Sequence, residues 1–173
     1  MELPGTLYLY TVATLGMTFI GFSAVVMQLR QTIGRKLRPV DALFAHVYME
    51  FGLIITMGAL LPPALTFWEL PPALVWRVSS GLVGISLLWF GLTYPARRRA
   101  ASAASTPLYV RANVTFVLLV SLTLLTTAAG VLHERSGAVF LSALSVFLIF
   151  AVGAWLGALN VVVAAPSRSD AKS

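Results

Sequence analysis

Residues 44–63 read FAHVYMEFGLIITMGALLPP, a run apolar enough to lie in a lipid bilayer that nevertheless carries His46 and Glu50 one helical turn apart. About 20 such residues cross about 30 Å of hydrocarbon as an α-helix. In that environment a helix satisfies its own backbone hydrogen bonds, which an open strand or a loop does not. The stretch therefore reads as a transmembrane helix with an ionisable pair built into it.

The rest of the chain agrees. Of its 173 residues, 58% are hydrophobic and only 10% charged, against about 25% charged in ordinary soluble domains. The apolar residues collect into five runs, at about 6–28, 42–62, 72–94, 108–132 and 138–163. They predict an all-α, polytopic integral membrane protein: a five-helix transmembrane bundle forming one domain, with a short cytoplasmic tail at 164–173. Pro39, Pro62, Pro63, Pro71, Pro72 and Pro107 fall at or beside the ends of these runs, where a missing N–H costs least. Asp41 reads as an N-cap of the second helix, and Pro62 with Pro63 as its stop.

Charge sets the expected orientation. Arg30, Arg35, Lys36 and Arg38 follow the first run, and Arg97, Arg98 and Arg99 follow the third. With Arg111, Arg168 and Lys172, ten of the twelve Lys and Arg residues fall on one side, leaving Arg77 and Arg135 near the other. The positive-inside rule makes that side cytoplasmic, so the chain is expected N-out and C-in, multi-pass in the cell's inner (plasma) membrane. The first run is expected to remain as a helix, since MELPG lacks the positive start of a secretory signal. The net charge of +6 does not point to nucleic acid, because the charges lie between apolar runs and build no basic face on a soluble fold. The run GFSAVVMQLRQ at 21–31, then a basic loop, an Asp-led helix with an internal glutamate and LLPP, resembles small polytopic bacterial membrane proteins. No chemistry follows from that resemblance.

Small residues suggest where helices meet. Gly153 and Gly157 form a GxxxG spacing and Ser80 with Gly84 a second small pair, while Gly16 and Gly21 lie in the first run. Such spacing lets backbones approach closely, either within one chain or between copies. A homo-oligomer is expected on a further ground, since five helices pack around side chains and enclose no wide water path alone.

Glu50 lies about 12 Å into the second helix from Ala42 at about 1.5 Å per residue. An ionised carboxylate at the centre of a membrane helix costs about 2.5–3.5 kcal/mol, so Glu50 must be neutral, paired or hydrated. His46 shares its face. Arg111, Asn113 and Asn160 are placed at comparable depth, which suggests a polar layer in the cytoplasmic half. Two uses stay open: a structural clasp, or an ion or proton path in which carboxylate and imidazole exchange protons. Arg77 either snorkels to the headgroups or turns inward towards Glu69 or Glu50.

Enzymatic motifs are missing: the chain has no G-x-S-x-G, no H-E-x-x-H and no phosphate-cradling glycine loop. With no cysteine, and with His133 in the opposite loop as the only other histidine, neither a metal site nor a bis-histidine haem is expected. The leading expectation is a small, homo-oligomeric membrane protein that supports ion or proton movement near His46 and Glu50. The alternative is a non-transporting membrane subunit or scaffold whose polar layer is structural. Expected partners are the bilayer, with anionic lipids at the basic loops, and a second copy or another membrane protein.

Overall fold

A computed structural model describes residues 3, 5–32, 39–102, 107–131 and 135–163; within these, the side chains of 26, 29–31, 40, 41 and 157–163 lie outside the description. The chain is all-helical, with α1 (Thr6–Thr32), α2 (Pro39–Thr66), α3 (Pro72–Ala101), α4 (Leu108–Ala128) and α5 (Ser136–Val163). All five are long and apolar enough to cross a membrane, which marks a multi-pass membrane protein. Large apolar side chains are as plentiful outside as inside: Phe22, Met57, Ile85, Leu122 and Ile149 all point outward. Helices that are apolar all round, joined by short connections, suit a lipid solvent and no aqueous one.

Successive helices run antiparallel. α1 packs along α2 and α3 along α4, the two hairpins meet at α2 and α3, and α5 lies against all four. Small residues place the seams. Thr56 Oγ1 donates to the Ala13 carbonyl, and Gly16 and Gly52 let the two backbones meet beside that bond. On α3, Gly84 rests on Leu124 and Leu125, and Gly91 on Leu118. Ser121 on α4 donates to the Gly84 carbonyl at 2.7 Å. Thr123 and Thr127 bond back to carbonyls of their own helix, which satisfies their hydroxyls without an interhelical partner.

Two helices run past their expected ends, α2 past the Pro62–Pro63 stop and α3 past residue 94. α2 contains Pro62 and Pro63 and continues to Thr66, while α3 contains Pro95 and continues to Ala101. Each proline removes one backbone donor near a helix end, and packing against neighbours holds the helix on course. Pro62 and Pro63 are both buried. The consequence for α3 is decisive, since Arg97, Arg98 and Arg99, read from sequence as a loop, stand on its last turns. The end of the bundle where α3 stops and α4 starts is called the basic end below.

The basic half is filled by aromatic rings. Phe51 meets Phe90 at 4.6 Å and Phe147 at 5.0 Å between centroids, and Phe90 stacks on Tyr94 at 5.4 Å. Between α3, α4 and α5, a void lined by Leu87, Leu124, Phe140 and Phe147 admits no water.

Candidate functional site

Glu50 is held by Arg97. Arg97 Nη1 donates to Glu50 Oε2 at 2.7 Å and Nη2 to Oε1 at 3.1 Å, a two-pronged ion pair joining α2 to α3. The side chains are 24% and 29% exposed, so the pair sits at the edge of the bundle. Planar guanidinium and carboxylate groups match in this arrangement, which adds geometric definition to the charge attraction. α2 supplies Glu50 one residue before Phe51, and α3 supplies Arg97 two turns after Phe90. The Phe51–Phe90 contact sets the register in which the charges meet.

The partners expected for Glu50 stand elsewhere. His46 is exposed, and no hydrogen bond or ion pair among the described residues joins it to Glu50. Arg111 is exposed and Asn113 half-buried on α4; α4 packs on α3 and α5 with no substantial contact to α2, so α3 stands between these residues and Glu50. The side chains of Asn160 and Gly157 lie outside the described residues, as does His133. Gly153 faces open space, where an added methyl would meet nothing within 4 Å. Ser80 is fully buried, its hydroxyl without a partner among the described residues.

Arg77 is half-buried and pairs with no acid among the described residues. Its Nε donates to the Ala128 carbonyl at 3.0 Å. α4 ends in a Schellman turn, with Gly130 N–H to Thr127 and Val131 N–H to Thr126, and Gly130 in the left-handed region at φ +89°. That turn leaves the Ala128 carbonyl over for a cation, which the helix dipole also favours there. Arg77→Gln is expected to cost about 1.5 kcal/mol, the worth of a hydrogen bond from a charged group. Thermal unfolding in detergent should show it; a cost no larger than that of an exposed arginine such as Arg99→Gln would deny Arg77 this role.

Further side chains converge at the basic end. Tyr48 donates to the Ala154 carbonyl at 2.9 Å, tying α2 to α5, and Phe19 packs edge-on against it. Tyr94 interacts with the Arg98 guanidinium one turn along, and Tyr109 of α4 is close enough to act on Tyr94 electrostatically. Arg98 is only 8% exposed. The apolar run ends at about residue 94, so sequence alone sets Arg97 and Arg98 in the loop that follows. The signal was the buried face Val83, Leu87, Phe90, Tyr94, Arg98, whose three-and-four spacing runs straight through Pro95.

Among the described residues no cluster of three or more His, Asp or Glu side chains could hold a metal ion. A second cavity, about 340 Å³ and open to the surface, lies between α4 and α5, lined by residues that include Thr123, Arg135, Ala138 and Val146. Neither this cavity nor the dry void touches Glu50. No protein-family model, curated protein or solved structure matches the chain.

Proposed function

We propose that this chain is a non-transporting membrane subunit or scaffold, in which the polar groups of the basic end hold helices in register. It works through contacts with other membrane proteins or further copies of itself. The observation that carries this reading is the two-pronged Glu50–Arg97 pair. A carboxylate so engaged has both oxygens occupied, and releasing it to carry protons would leave a guanidinium unpaired.

Depth adds support. Glu50 stands about 24 Å from the Thr66 end of α2 at about 1.5 Å per residue. In a hydrocarbon core of about 30 Å counted from that end it would lie in the half nearer the basic end, about 6 Å from the boundary, where a paired carboxylate is tolerated without a transport role. In this reading the basic end faces the cytoplasm of an inner membrane, because most Lys and Arg residues collect there.

The test is flux through liposomes holding the full-length chain. The expected result is no proton or small-ion movement above protein-free vesicles under an imposed gradient. A flux that Glu50→Gln abolishes, with the fold intact by tryptophan fluorescence, would replace this reading with ion or proton movement past Glu50.

A further inference from the structure

Among the described residues Arg98 has no counter-charge. It lies on the inward face of α3 at 8% exposure, and its Nε and Nη1 have no hydrogen-bond partner among the described residues. Of the two acidic residues whose side chains are described, Glu50 is engaged by both terminal nitrogens of Arg97, and Glu69 is in the connection at the opposite end of the bundle. Tyr94 interacts with the guanidinium but supplies no negative charge. A buried cation in this state is costly unless an anion or water meets its open donors.

We propose that Arg98 is the centre of an oxyanion site that takes a phosphate group at the basic end of the bundle. Arginine suits the task, since it stays charged and its N–H groups are set in a plane that phosphate oxygens match. Arg111, in the first turn of α4 at the same end of the bundle, adds positive charge that draws anions. Arg98 stands about 39 Å along α3 from Pro72 at about 1.5 Å per residue. That is past a hydrocarbon core of about 30 Å, at the level of lipid headgroups. Two sources offer the same chemistry there: the phosphodiester of an anionic phospholipid, and free phosphate. The inference rests on the helices spanning a bilayer but not on the lack of transport, so a positive flux result would leave it standing.

The experiment follows thermal unfolding of the full-length chain by tryptophan fluorescence in phosphatidylcholine nanodiscs. Phosphatidylglycerol is added to the discs in one arm, and inorganic phosphate against chloride at matched ionic strength in the other. A bound anion at about 100 times its dissociation constant should raise the melting temperature by about 5 °C. Wild type and Arg99→Gln should show that rise, and Arg98→Gln should not. A rise with phosphatidylglycerol alone assigns the lipid as source; a rise with phosphate in phosphatidylcholine discs assigns the free anion. An equal rise in Arg98→Gln, or no rise in wild type with either probe, overturns the site and leaves general surface charge or water as the partner. Should Arg98→Gln not fold, native mass spectrometry decides with Arg98→Lys. Wild type should retain one more phosphatidylglycerol or phosphate, and equal retention overturns the proposal.

Discussion

Glu50→Gln is expected to destabilise the bundle by about 2 kcal/mol, and Arg97→Gln by a similar amount, with most of the two losses shared. Exposed ion pairs contribute about 0.2–1 kcal/mol, whereas breaking a buried pair costs about 3–5 kcal/mol. The Glu50–Arg97 pair lies between these limits: it is two-pronged and roughly three-quarters covered, yet near enough to the surface for a freed Arg97 to find water or a headgroup. A double-mutant cycle by thermal unfolding in detergent should return a coupling of about 2 kcal/mol, since the residues touch directly. His46→Ala, at an exposed position without a bond to Glu50, should stay within about 0.5 kcal/mol. A coupling near zero, or a His46 effect matching that of Glu50, would remove the pair as the tie between α2 and α3.

Gly52→Leu should cost about 3 kcal/mol or prevent folding, the largest effect expected from any single change here. A methyl at Gly52 would lie 3.1 Å from the Gly16 carbonyl oxygen and inside the space of Ile20, so neither side of the seam can yield cheaply. Overpacking costs about 1–3 kcal/mol where side chains can shift, and here one of the opposing groups is backbone. Lipid offers separated helices apolar contacts as good as those they lose, so close backbone approach carries much of their association. Gly21→Leu on the same α1 is the control, since nothing lies within 4 Å of that position, and it should unfold like wild type. Equal losses for the two variants would mean that helix propensity, and not the α1–α2 contact, governs the effect.

The two forecasts show what could be read before the structure. Five helices long and apolar enough to span a membrane are visible in the hydropathy of the sequence. Glu50 stood out as well, because a lone carboxylate in an apolar run must find a partner. Its partner did not stand out. His46 was favoured for its spacing on one helix, but spacing says only that two side chains can meet. Arg97 lies beyond the apolar run 72–94 and past Pro95, a residue type that ends helices in water and is tolerated in packed membrane helices. Gly52 was likewise unmarked: it has a small residue, Thr56, four positions on, but its role depends on Gly16 of another helix.

Composition alone therefore determined the solvent this protein is built for and the helical form of its chain, since hydrocarbon leaves a backbone no hydrogen-bond partner but itself. Tertiary structure alone decided which faces meet: Gly16 with Gly52, Ser121 with Gly84, Glu50 with Arg97, and Arg98 turned inward with no counter-ion among the described residues. The reason lies in the same solvent. Lipid-facing and core-facing positions are equally apolar, so hydropathy carries no signal for helix rotation or register, and only the fit of one helix against another selects the contacts.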